Sequence, residues 1–398
     1  MKIMASEKHP TPSILSLAWL FGKTAITTLS QLLTYPFLTQ RAASLKKHLL
    51  NTAIRTLLHT ITIPQLHRLN NTTTSTRYTS FCTSQNLPPH TLSIKPSTPE
   101  TPQTTAHWIG DPNASIVILY FHGGGYTQPA TSGTFLYLHH LIATLQLRTS
   151  TPETQTTVAA LVLAYDLAPE SPYPTQLKQA ASTLSYLLHP THRRPSTIFL
   201  SGDSAGGNLA LALLSHILHP HPAVPAVEVV EPLAGVVLYS PMATFSREWD
   251  SVRRNESVDM IPASRIRWWG GVLHGLYDPS LSGDGDGTEA FFRGDAYTEP
   301  CLNSAGWWVG LDRVVGGVLV MCGADEVYLD PIVETVRSVR AGWVEGGEEE
   351  GVVVVETMGE AHIGPIVEFM MGGGKPGGCG SQRVVEEWYL ERLGVGCF

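Results

Sequence analysis

Ser204 stands in the pentapeptide Gly202-Asp203-Ser204-Ala205-Gly206, directly after the apolar run TIFLS (197–201) and just before NLALALLSHIL (208–218). A serine on a sharp strand-to-helix turn suits nucleophilic acyl chemistry. Small neighbours let its Oγ stand clear of the sheet edge, and the helix N-terminus behind it favours developing negative charge. A Gly-x-Ser-x-Gly match alone would be an ordinary glycine-rich turn; the run before it and the helix after it give it content.

A second cluster, His122-Gly123-Gly124-Gly125-Tyr126, follows the apolar run SIVILYF (115–121). Acyl transfer leaves charge on the former carbonyl oxygen, and consecutive glycines allow backbone N–H groups to approach it closely. Gly123 and Gly124, with the N–H of Ala205, are the expected oxyanion donors.

An unperturbed serine is a weak nucleophile, so a base and an orienting acid are required. When the nucleophile sits on such a turn, the chain order is serine, acid, histidine. Beyond the segment that follows Ser204 only His274 and His362 remain, and His362 alone lies after the candidate acids. The acid belongs in the loop after GVLVMC (317–322), where Asp325 is the expected residue and Glu326 and Asp330 are its rivals.

These groups need a scaffold. Six short apolar runs, 115–121, 158–165, 197–201, 234–240, 317–322 and 351–357, read as strands buried on both faces. Helical patterns near 133–146, 175–189, 205–218, 330–343 and 382–393 alternate with them, which predicts a mostly parallel α/β sheet flanked by helices. Residues 242–314 contain no obvious strand and read as a pocket-shaping insertion, with Trp268-Trp269 and Trp307-Trp308 either lining an apolar pocket or packing in the core. The segments SGDGDG (282–287) and EGGEEEG (345–351) read as turn and solvated loop.

With 43% hydrophobic and 15% charged residues over 398 positions, a large core is available. The net charge of −8 and the lack of a Lys/Arg tract argue against a nucleic-acid partner. Charge is uneven: residues 1–110 carry +8 and the remainder −16, which sets residues 1–105 apart as an N-terminal helical layer on a catalytic part at 106–398. An apolar stretch near 13–38 within that layer reads as a buried or cap-forming amphipathic helix, or as a membrane-associating one. Five dispersed cysteines form neither a zinc pattern nor a disulfide framework and fit a reducing compartment, cytoplasmic or on the face of an internal membrane. Sequons at Asn70, Asn71, Asn113 and Asn255 are the contrary signal for secretion.

Taken together, HGGGY (122–126), YDLAPESPYP (165–174), GDSAGGN (202–208), ADEVYLD (324–330) and AH (361–362) resemble the hormone-sensitive-lipase-like family of α/β-hydrolases over roughly residues 105–370. The resemblance implies an α/β-hydrolase fold with an N-terminal helical cap and hydrolysis of a small-molecule carboxylic ester without metal or organic cofactor. It further implies that Asp166 and Glu170 brace the wall of the site. Residues 1–105 and 242–314 are longer than in compact members, and similar architectures occur among fungal enzymes that tailor polyketides. Three other outcomes share these residues: acyltransferase, thioesterase or amidase chemistry on the same triad; a condensation catalyst using His362 alone as base; and a non-catalytic receptor. The condensation reading alone predicts that Ser204→Ala stays active.

Overall fold

The computed structural model describes residues 12–69, 72–96, 101–149, 156–276, 293–344, 351–372 and 380–394. Asn70, Asn71, the 282–287 turn, most of the 345–351 loop, Cys379 and Cys397 lie outside the described residues.

Four helices come first: α1 (Ile14–Thr34), α2 (Leu45–Thr60), α3 (Ile63–Leu69) and α4 (Thr74–Gln85). Then follow β1 (His90–Ile94), β2 (Thr104–Ile109), β3 (Ile116–Phe121), α5 (Ser132–Thr149), β4 (Val158–Ala164), α6 (Thr175–Leu188), β5 (Ile198–Asp203) and α7 (Ala205–Leu218). The rest comprises β6 (Gly235–Tyr239), α8 (Asp250–Asn255), α9 (Ala263–Leu273), β7 (Val318–Gly323), α10 (Leu329–Val344), β8 (Val352–Thr357), α11 (Gly364–Met370) and α12 (Gly380–Arg392).

The strands form one sheet in the order β1-β2-β4-β3-β5-β6-β7-β8. Pairing is parallel from β4 through β8, whereas β2 runs antiparallel to both β1 and β4. All six strands read from the sequence are present. Successive residues feed opposite faces: Leu119, Leu161, Leu200 and Leu238 pack with α6, α7 and α10, while Ile118, Val162, Phe199 and Val237 pack with α5 and α12. With both faces covered, the strands become continuous apolar runs.

β1 and β2 were not expected. Their sequences, HTLSI and TTAHWI, carry polar residues and no unbroken apolar run, yet they extend the sheet and end the helical layer at α4. That layer is bonded to the rest of the chain. Arg265 of α9 donates to the carbonyls of Leu58 (2.6 Å), His59 (2.9 Å) and Ile61 (2.7 Å), which the end of α2 would otherwise leave unpaired. From α4, the Tyr78 hydroxyl donates to the Trp108 carbonyl at 2.6 Å.

Candidate active site

The C-terminal ends of β3, β5, β7 and β8 lead directly into the segments that carry the chemistry, the edge at which parallel α/β sheets bind ligands. At the end of β5, Ser204 takes φ +52° and ψ −117°, in the left-handed half of backbone space that non-glycine residues avoid. The surrounding chain tolerates no side chain at Gly206, where a Cβ would lie 1.9 Å from the Phe121 carbonyl oxygen. The Gly-x-Ser-x-Gly pattern thus reflects contact between this turn and β3. Ser204 is almost wholly buried, and its backbone N–H donates to the Tyr239 carbonyl at 2.9 Å.

His362 follows β8 and brings Nε2 to 2.8 Å from Ser204 Oγ. Its Nδ1 lies 2.9 Å from Glu326 Oε2. Both side chains of that second pair are buried. The other Glu326 oxygen accepts the Gly323 N–H at 3.0 Å, so the carboxylate folds back across the turn that leaves β7. Burial alone pulls the His362 pKa down, but the hydrogen bond and charge of Glu326, with the charges of Asp259 and Asp203, outweigh it and leave it raised. This relay can move a proton from the serine hydroxyl and stabilise the imidazolium that results.

Two further buried groups hold the relay in place. Asn255 Nδ2 donates to the carbonyls of Ala324 (3.0 Å) and Glu326 (2.8 Å). Asp259 accepts the Val327 N–H at 2.8 Å and the His362 N–H at 3.2 Å, tying the acid loop to the histidine loop. Burial, with the neighbouring Glu326 charge, pushes the Asp259 carboxyl up to about 6 against the opposing pull of His362.

The glycine segment after β3 is braced by Asp203, whose Oδ1 accepts from the Tyr120 hydroxyl (2.8 Å) and the Gly123 N–H (2.9 Å). Burial pushes this carboxyl up to about 6. Among the described residues the N–H groups of Gly124 and Ala205 have no such acceptor. Gly124 takes φ +116°, and a Cβ on Gly125 would fall 2.4 Å from Trp269 Nε1, so Trp269 backs this segment. His122 stacks on Tyr165 at 4.2 Å, and its Nε2 lies 3.2 Å from Thr74 Oγ1 at the start of α4.

The α/β hydrolase fold family matches residues 118–280. A probable carboxylesterase of Arabidopsis thaliana is 28% identical over 163 residues, covering 38% of this chain and 44% of the relative. The arylacetamide deacetylase of Bos taurus is 28% identical over 160 residues, 38% of this chain and 36% of the relative. A bacterial esterase structure of the hormone-sensitive lipase family superposes with a TM-score of 0.57 at 20% identity, covering 89% of this chain and 100% of that one. The chain has the α/β-hydrolase fold, and its motif blocks resemble those of the hormone-sensitive-lipase-like family. The matched stretch spans less than half the length of these two curated relatives.

Within that fold, the structure brings Ser204 and His362 together and corrects two other expectations. Asp325 is not the partner of His362. Its N–H donates to the Glu360 carbonyl at 2.9 Å, and its half-buried side chain lines a cavity beside Lys47. Glu326, the next residue, fills the role. Asp330, the other rival, accepts from the Ser251 N–H (2.7 Å) and pairs with Arg254 (3.1 Å). Gly123, expected as an oxyanion donor, gives its N–H to Asp203 instead, because the carboxylate beside the nucleophile faces the glycine segment.

Asp166 is anchored through its backbone, with its N–H on Gln179 Oε1 (2.8 Å) and its carbonyl on Gln176 Nε2 (2.8 Å), while Glu170 pairs with His67 (3.5 Å). Trp307 and Trp308 pack with α7 and α10 away from the site, whereas Trp269 lies against it. The sequon asparagine at 255 is buried on the acid loop. Asp259 escaped the sequence reading; a single carboxylate in a region without strands gives no signal until the fold sets it behind the histidine.

Proposed function

We propose that this chain is a serine carboxylic ester hydrolase, and the observation that carries the reading is the unbroken hydrogen-bonded line Ser204–His362–Glu326. His362 takes the proton as Ser204 Oγ attacks the ester carbonyl. Glu326 holds the Nδ1–H tautomer and stabilises the imidazolium. The oxyanion rests on the N–H groups of Gly124 and Ala205, with Asp203 fixing the glycine segment from behind. The imidazolium protonates the leaving alcohol, and water then repeats the sequence on the acyl-enzyme.

A cavity of about 370 Å³ reaches His362, with Leu50, Val367 and Met371 among its apolar lining and Lys46, Lys47 and Glu368 among its polar lining. Ser204, Gly124 and Ala205 are not among its lining residues, so the cavity adjoins the relay from the histidine side. Because α2 supplies one wall of that cavity, the helical layer covers the histidine side of the site.

Fluorophosphonate labelling tests the reading. The native protein is expected to label, Ser204→Ala to lose labelling, and His362→Ala to label far more slowly, in parallel with turnover of short p-nitrophenyl esters. A folded native protein that neither labels nor turns over esters would overturn it. Ester turnover retained in Ser204→Ala would transfer the argument to a base-only mechanism.

A further inference from the structure

Helix α1 is packed on one side and open on the other. Leu20 is its one buried residue, set against Ile61, Leu66 and Leu57. On the opposite side Leu15 (81%), Trp19 (60%), Ile26 (70%), Leu29 (61%) and Leu33 (75%) are exposed. Ile14 and Leu32 are exposed as well, and the set spans an arc of about 140° at 100° per residue. A water-facing helix surface would not be built this way.

Charge indicates what covers it. Lys23 is the one charged residue of α1, at the rim of the arc, with its ammonium 5.2 Å from the Trp19 ring. Between residues 12 and 96 there are eight Lys and Arg and no Asp or Glu, although the chain as a whole carries −8. A cationic, acid-free segment with an apolar face, an exposed Trp and a rim Lys is the composition of a helix lying in the plane of an anionic bilayer surface. No described helix is long and apolar enough to cross a membrane.

Spacing alone would also suit pairing with a second copy, since Leu15, Trp19, Gly22, Ile26, Leu29 and Leu33 recur at alternating intervals of four and three. The arc is wider than such a seam, however, and of the flanking positions Ser16, Ala18, Lys23, Ala25, Ser30 and Leu32 only Lys23 is charged, with no acidic residue on α1 to pair with it in a second copy.

We propose that α1 is an interfacial helix that seats the protein on an anionic lipid surface with Leu15, Trp19, Ile26, Leu29 and Leu33 in the acyl boundary. Because α1 packs on α2, and α2 lines the cavity reaching His362, seating places the cap at the bilayer. On the ester-hydrolase reading, the substrate class is then an apolar ester that partitions into lipid.

Co-sedimentation with phosphatidylcholine vesicles containing about one-third phosphatidylserine tests this, using Ser204→Ala so that catalysis plays no part. The protein is expected to pellet at low salt, to bind pure phosphatidylcholine at least about tenfold more weakly, and to be released as ionic strength rises. Leu15→Glu/Ile26→Glu/Leu33→Glu should cut partitioning by at least about tenfold with an unchanged circular dichroism spectrum and melting midpoint. Lys23→Glu, a single change at a half-buried position, should weaken binding to the anionic vesicles alone. Protein that stays in the supernatant, or a triple variant that pellets like its parent, overturns the proposal. A dimer by light scattering that the triple variant dissolves, with no vesicle binding, overturns it in favour of a second copy. Loss of esterase activity elsewhere leaves vesicle binding intact, so the two readings fail separately.

Discussion

Replacing Glu326 by Gln tests the relay most directly. The substitution keeps the side-chain length and an oxygen for the Gly323 N–H, but removes the charge that faces His362 Nδ1 at 2.9 Å. With charge centres about 4 Å apart and an effective dielectric near 20, that charge stabilises the imidazolium by about 4 kcal/mol. At about 1.4 kcal/mol per decade this is roughly a 10³-fold loss in kcat. A Gln amide that turns its NH₂ toward Nδ1 would also select the wrong tautomer and extend the loss to about 10⁴-fold. KM should change little, because Glu326 is buried behind the histidine rather than in contact with substrate. The control is Asp325→Asn, at the half-buried position beside Lys47, which should stay within about fivefold of the parent.

The assay is steady-state hydrolysis of a short p-nitrophenyl ester, run with titrated fluorophosphonate so that rates refer to active sites. Equal losses in the two variants, or a larger loss in Asp325→Asn, would refute the assignment of the acid. So would a Glu326→Gln protein within about tenfold of wild type while still folded, since the Coulomb argument would then have no counterpart in the rate.

The raised pKa of His362 gives a pH prediction: its neutral form is the base, so kcat/KM should rise with pH through a midpoint above the ordinary histidine value of about 6.5. In Glu326→Gln the largest raising influence is gone and burial dominates, so that midpoint should move to lower pH. The same shift has a stability sign: His362 supports the folded state fully below about 6.5 and loses that support as pH rises through its folded value, which urea titrations at several pH values would detect. Gly123→Ala would place a Cβ 2.3 Å from Asp203 Oδ2, displacing the glycine segment; kcat should fall on the order of 10²-fold while the parent's far-ultraviolet spectrum is retained. Arg265→Met leaves three carbonyls at the end of α2 without their donor and should cost about 2–5 kcal/mol, read as a lower melting midpoint and faster amide exchange in α2.

What could be read from the sequence follows from where the determinants lie. A strand covered on both faces must be apolar throughout, so β3 to β7 announce themselves, and the edge strand β8, only partly buried, does so by its run of valines; β1 and β2 carry Thr, His and Ser and depend on pairing at the other end of the sheet, which no local pattern records. Ser204 is legible because the small residues its turn requires all stand within five positions, although the contact that excludes a Cβ at Gly206 is with distant Phe121 of β3. His362 was legible because chain order leaves one candidate.

The carboxylate that meets His362 stands one residue beyond the expected Asp325 for a reason of the same kind. Both Asp325 and Glu326 leave the end of β7 and both are carboxylates, so composition and position in the loop cannot separate them. The turn separates them: the Gly323 N–H draws back the side chain three positions on, Asn255 holds the carbonyls on either side of Asp325, and Asp259 holds the next N–H. Two of those anchors come from residues about 70 positions earlier in the chain. The same holds for Gly123, whose N–H is taken by a carboxylate 80 residues away. Local sequence therefore reveals the groups whose chemistry depends on their immediate neighbours. The choice between adjacent, chemically equivalent groups is made by long-range hydrogen bonds. Asp259→Asn provides the test of that distinction: it touches neither Ser204 nor the reacting carbonyl, so a lowered kcat with unchanged KM would show that the anchors, and not the triad residues alone, set the geometry of the relay.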